Sequence, residues 1–92
     1  MLEIAVIGAG FSGAVVAREL ANAGYKIILY ESRSHLAGNC HTERDAETDV
    51  MVHVYGPHIF HTSNERVWNY VQEFDELIPF LNRVKSIYNG RV

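Results

Sequence analysis

Three glycines at fixed spacing, Gly8-Ala9-Gly10-Phe11-Ser12-Gly13, join an apolar run to a helical pattern and constrain this chain more than any other feature. Ile4, Ala5, Val6 and Ile7 precede them as a short run of β-prone residues, the pattern of a strand buried on both faces of a parallel sheet. From Phe11 to Ala23 the period becomes helical. Gly13, Ala17, Leu20 and Gly24 form a small-sided stripe that lets a helix lie close on a sheet, with Gly24 as a left-handed stop. Lys26 to Tyr30 then reads as a second buried strand, ending at Glu31. Strand, helix and strand in about 30 residues make a βαβ unit.

In that setting each position of G-x-G-x-x-G has a physical task. Gly8 permits a tight turn, Gly10 lets backbone approach a pyrophosphate, and Gly13 lets helix and strand pack closely. Unpaired amides and the positive dipole end at the helix start favour an anion there. An acid about 20 residues further on accepts hydrogen bonds from ribose hydroxyls, and Glu31 stands at that point. A carboxylate there argues against a 2′-phosphate, hence against NADP, but does not separate NAD from FAD. Three glycines that only shape a turn are the plainer alternative. Beyond Glu31, the segment Ser32 to Asn39 reads as a loop holding Gly38. A flavoprotein passes its chain beside the extended cofactor at this point, often with two glycines; here Ala37 replaces the first.

Composition sets the outer limits. Ninety-two residues, 48% hydrophobic and 21% charged, fit at most one small globular domain and exclude disordered and collagen-like chains. Net charge −3, with Lys and Arg scattered, argues against a nucleic-acid partner. The lone Cys40 allows no intramolecular disulfide, so a reducing cytoplasmic setting is expected. Met1 to Ala17 fails as a signal peptide because Glu3 is its only early charge and glycines break the run. No apolar stretch approaches the roughly 20 residues that span a bilayer, so no membrane partner is expected.

The rest of the chain departs from βαβ alternation. Asp45 to Asp49 reads as a turn, and Val50, Val52 and Val54 alternate with Met51, His53 and Tyr55 as in a strand that Gly56-Pro57 ends. Thr62-Ser63-Asn64-Glu65 has capping-box spacing, with Thr62 as N-cap of a helix carrying Val67, Val71 and Phe74 on one face. Pro79 closes that region, Val84 to Tyr88 reads as another strand, and Asn89-Gly90 signals a type I′ turn. Only Arg91 and Val92 follow that turn, and two parallel strands need more strands and a second layer, so an incomplete doubly wound α/β domain is expected.

Gly56-Pro57-His58-Ile59-Phe60-His61-Thr62, taken with Gly38-Asn39 and the glycine fingerprint, resembles the N-terminal part of prokaryotic UDP-galactopyranose mutases. The resemblance runs through all 92 residues, including Trp68-Asn69-Tyr70-Val71 and Tyr88-Asn89-Gly90. It implies a Rossmann-like βαβ FAD-binding unit followed by a β-hairpin, a histidine loop and a helix, with the substrate domain outside residues 1–92. It further implies interconversion of UDP-galactopyranose and UDP-galactofuranose, in which the N5 of reduced FAD attacks the anomeric carbon and displaces UDP. Matching positions place Ser12, Glu31, Ser32, Asn39, His58 and Ile59 against FAD, with His58 beside the flavin as the catalytic candidate. Phe11, Arg33 and Gly38 complete the candidate cofactor set. The ligands of the UDP-galactose substrate then lie beyond Val92, the 92 residues alone have no turnover, and the whole protein is expected as a homodimer.

Plainer alternatives stand beside these expectations. His58 also fits a hydrogen-bonded loop histidine, and His61 a residue that only orients the loop before Thr62. His35, His41 and His53 read as surface or structural. No carboxylate or cysteine completes a metal spacing around His58 and His61, so no metal is expected. Cys40 has no base assignable from sequence, and Trp68 and Tyr70 read as core or interface aromatics. Two other functions remain open: an NAD-dependent or amine-oxidase-like oxidoreductase sharing only the βαβ unit, and a non-catalytic dinucleotide-binding module.

Overall fold

A computed structural model describes residues 2–92 and divides the chain into two compact units, Met1–Ile59 and Phe60–Val92. The first unit runs β1 (Glu3–Ile7), α1 (Phe11–Asn22), β2 (Lys26–Tyr30), a 3-10 turn (Gly38–Cys40), β3 (Thr42–Arg44) and β4 (Met51–His53). β1 and β2 pair in parallel, with Glu3 opposite Lys26 and Ile7 opposite Tyr30. α1 connects them and packs on both, the expected βαβ unit. Its half-buried positions include Gly13, Ala17 and Leu20, so the small-sided stripe is the packed face. The helix ends in a Schellman motif: Gly24 has φ +98°, its N–H donates to Ala21 O at 3.0 Å, and Tyr25 N–H donates to Leu20 O at 3.1 Å.

The strands are not buried on both faces as their apolar runs predict. Val6 is 9% exposed and Ala9 2%, whereas Ile7 at the end of β1 is 79% exposed. An apolar run records which residues can be covered on both sides, while the cover itself depends on elements outside the run.

β3 and β4 form an antiparallel hairpin with Thr42 opposite His53 and Arg44 opposite Met51. Its turn is closed by Asp45, whose carboxylate accepts from Thr48 Oγ1 at 2.7 Å and Thr48 N–H at 2.8 Å. The Thr48 hydroxyl, then its amide, holds the Asp45 carboxyl below the usual carboxylate range. The strand expected over Val50–Tyr55 is shorter, because the chain turns at Val54-Tyr55 and the turn is closed by Gly56, which takes φ +96° and donates to His53 O at 3.3 Å.

The second unit carries α2 (Glu65–Gln72) and a terminal turn. The N-cap falls two residues later than expected. Asn64, not Thr62, is the N-cap: Asn64 Oδ1 accepts from Val67 N–H at 3.1 Å, while Thr62 Oγ1 accepts from Asn64 N–H at 3.1 Å. Val71 is half-buried, but Val67 and Phe74 stay largely exposed. Trp68 stacks near Phe60 at 6.3 Å, and Tyr70 meets Phe74 edge-on at 5.2 Å. Val84 to Tyr88 does not form the expected strand; pairing is limited to an isolated bridge between Tyr88 and Arg91. Asn89 (φ +50°) and Gly90 (φ +73°) are both left-handed, as a type I′ turn requires. No helix among the described residues is long and apolar enough to cross a membrane.

Candidate functional site

The three fingerprint glycines are separated by what each position demands. Gly8 takes φ +102°, a conformation that strains any residue with a Cβ, and its N–H donates to Tyr30 O at 2.7 Å. Gly13 lies so close to the loop that a Cβ there would overlap Gly8 O. Gly10 is different. Its φ is −73° and ψ −173°, ordinary extended backbone, and a Cβ would come no nearer than 3.9 Å to Gly38 Cα. Neither conformation nor packing within this chain requires glycine at 10, so its small size leaves room at the start of α1. No side chain caps that helix start and its first turn holds no acid, which leaves the dipole end open to an anion.

Glu31 closes the other side of the loop. Its Oε1 accepts from Ala9 N–H at 2.9 Å and its Oε2 from Arg33 N–H at 2.8 Å, with Ser32 Oγ at 3.5 Å. The Arg33 amide, then the Ala9 amide, holds the Glu31 carboxyl below the usual carboxylate range, so it is ionised at neutral pH. A carboxylate offers about four lone-pair sites, so acceptor capacity remains for hydroxyl donors. Ala9 O in turn accepts from Ala37 N–H at 2.9 Å. The backbone between Gly8 and Gly10 is thus gripped on both sides.

Ala37 takes φ +75°, the left-handed region where a Cβ costs about 1–2 kcal/mol. The glycine missing from this position therefore leaves its conformation behind, and the strain is held by neighbouring hydrogen bonds. Gly38 follows at φ +56°, with its Cβ position 3.2 Å from Gly10 Cα.

Of the expected site residues, the structure draws Gly8, Gly10, Gly13, Glu31, Ser32, Arg33, Gly38 and Asn39 into one linked set. Phe11 and Ser12 stand exposed in the first turn of α1. His58 and Ile59 lie in exposed chain after Gly56-Pro57 and take no part in these hydrogen bonds. Sequence reasoning missed Ala37 and Tyr55. An alanine where glycine is usual was the available signal for the first; nothing in sequence marked the second.

The family described as NAD(P)-binding Rossmann-like domain matches residues 6–74. The chain belongs to that family. In Rossmann-like domains generally, a dinucleotide is received by the glycine loop, the helix start and an acid after the second strand. Among similar proteins, a probable UDP-galactopyranose mutase of Klebsiella pneumoniae is 57% identical over 90 residues, 98% of this chain and 23% of that protein. A dTDP-fucopyranose mutase of Escherichia coli is 47% identical over 92 residues, 100% of this chain and 24% of that protein. A nicotine dehydrogenase of Pseudomonas putida is 38% identical over 92 residues, 95% of this chain and 18% of that protein. The chain spans about a quarter of the length of the two mutases.

Proposed function

We propose that this chain is the N-terminal part of the FAD-binding domain of a mutase that interconverts UDP-galactopyranose and UDP-galactofuranose. One observation carries the cofactor reading: Gly10 is small although the chain itself does not need it to be. The mutase reading is supported by the identity over nearly the whole chain to a probable UDP-galactopyranose mutase.

When bound, reduced FAD supplies a nucleophilic N5 for the anomeric carbon of the sugar, with UDP as leaving group. The protein's part is binding and orientation. Amides of Phe11, Ser12 and Gly13 at the start of α1 serve the pyrophosphate, into the space that Gly10 leaves. Glu31 accepts the ribose hydroxyls on its remaining lone pairs, and Ser32 stands beside it. Asn39 and Gly38 line the turn next to Gly10, and Arg33 reaches Asn39. His58 and Ile59 are assigned to the isoalloxazine. The sugar-nucleotide ligands belong to the remainder of a protein of the mutases' length, and residues 1–92 alone have no turnover.

The test is made on the protein as its gene encodes it, reduced with dithionite and given UDP-galactofuranose. Chromatography should show UDP-galactopyranose with no stoichiometric consumption of reductant. No product above a heat-killed control contradicts the reading. Similarity to the nicotine dehydrogenase favours an oxidoreductase as the second reading; stoichiometric oxidation of an amine or alcohol would establish it instead.

A further inference from the structure

Beside the glycine loop, Tyr55, His35 and His41 have no place in the cofactor assignment, yet the cluster they form touches Arg33, which does. The Arg33 guanidinium lies over the Tyr55 ring, 4.3 Å from its centroid, and Arg33 donates to Asn39 Oδ1 at 3.0 Å. His35 Nδ1 sits 2.8 Å from Leu36 O, and because a carbonyl only accepts, that nitrogen carries the proton. In the neutral ring Nε2 then accepts the Tyr55 hydroxyl at 2.7 Å. His41 stacks on His35 with centroids 3.8 Å apart and planes 8° from parallel.

Tyr55 follows β4, whereas Arg33 and His35 lie in the loop after β2 and Asn39 in the 3-10 turn that follows it, so Tyr55 links two separate stretches of the first unit. Between His35, which it touches directly, and Asn39, which it reaches through Arg33, lies Ala37, left-handed despite its Cβ and bonded to Ala9 O in the glycine loop. A strained residue persists only where its surroundings over-determine it. The turn's own bonds, Cys40 N–H to Ala37 O at 3.0 Å and His41 N–H to Gly38 O at 3.2 Å, hold it from within. Tyr55 holds the same turn from outside, by its ring through Arg33 and by its hydroxyl through His35.

We infer that Tyr55 is a positioning residue for the dinucleotide loop, bracing the strained Ala37–Asn39 turn against Gly10 through Arg33 and His35. Arg33 on this account acts between Tyr55 and Asn39 and makes its contribution to binding through the turn. The consequence for cofactor affinity rests on the proposed FAD reading; the bracing itself does not.

The first readout is therefore amide hydrogen exchange at Ala37 in the protein as its gene encodes it. Tyr55→Leu and Arg33→Gln should each speed exchange at Ala37 by about tenfold, and Tyr55→Phe, which keeps the ring under Arg33, by less. Arg33 and Tyr55 are both exposed, and Tyr55→Phe keeps nearly all the packing should Tyr55→Leu fail to fold. The second readout is FAD affinity by fluorescence titration. Tyr55→Leu should weaken it about tenfold, the double variant with Arg33→Gln no further, and added Ala37→Gly should restore most of the loss by relieving the strain. Unchanged exchange at Ala37 in Arg33→Gln and Tyr55→Phe overturns the bracing whatever FAD does. Additive losses, or no rescue by Ala37→Gly, overturn it as well. Altered exchange in a protein that binds no FAD upholds the bracing and refutes the FAD reading instead.

Discussion

The two units differ in how they hold their shape. In Met1–Ile59 the loops are fixed by hydrogen bonds to backbone groups: Gly8 N–H to Tyr30 O, Ala9 N–H to the Glu31 carboxylate, Ala37 N–H to Ala9 O, with Val6 and Ala9 buried beneath. Phe60–Val92 has one short helix capped by Asn64 and a two-residue turn, and Ile78, Phe80, Leu81, Val84 and Ile87 between them remain exposed. Hydrogen bonds and glycine stereochemistry can define a binding loop with little buried area. Burial is what the second unit lacks, and local pattern alone gives it only a helix and a turn.

That contrast breaks most readily at Gly13. Gly13→Ala forces a Cβ into Gly8 O, and overpacking of this kind costs about 1–3 kcal/mol or more. Urea denaturation should show the loss, with FAD binding lost alongside. Wild-type stability would mean that α1 does not lie as close to the loop as described.

Glu31 sharpens the comparison without disturbing the fold as much. Glu31→Gln puts an NH2 group toward one of two N–H donors, so one of the bonds to Ala9 or Arg33 must go. FAD affinity should fall on the order of 10- to 100-fold, the range for a hydrogen bond to a charged group. The carboxyl value is depressed in the folded state, so its contribution is present above the unfolded value and lost as pH falls through the lower folded one. Affinity should therefore hold from neutral pH down through the ordinary carboxylate range and decline only in stronger acid. The Gln variant should lack that acid limb; a decline shared by both proteins would assign it to another group.

The smallest effect belongs to the second unit. Asn64→Ala removes the N-cap of α2 and should cost about 1 kcal/mol of helix stability, visible in far-UV circular dichroism on heating. FAD affinity should stay within twofold of wild type. A larger change would tie α2 to the cofactor loop.

Where sequence speaks through local stereochemistry, it was legible. The βαβ unit, the Gly24 stop and the type I′ turn at Asn89-Gly90 each follow from spacing or from glycine's access to positive φ. The Asn64 cap was missed because Thr62 and Asn64 are both good caps and their competition is settled by backbone geometry. Strand burial and the failed strand at Val84–Tyr88 depend on partners far along the chain, which periodicity does not report. In the site, Glu31 and the glycines were visible as a motif. Tyr55 was not, because its ring reaches a loop some twenty residues earlier and no spacing rule connects them.

The central claim is that Gly10 is small for the sake of a ligand, and one pair of titrations tests it. Gly10→Ala should keep its unfolding free energy, from urea denaturation, within about 1 kcal/mol of wild type, since φ −73° suits alanine. The same variant should lose FAD affinity by at least tenfold in fluorescence titration. Wild-type FAD affinity in a stably folded Gly10→Ala protein would contradict the account.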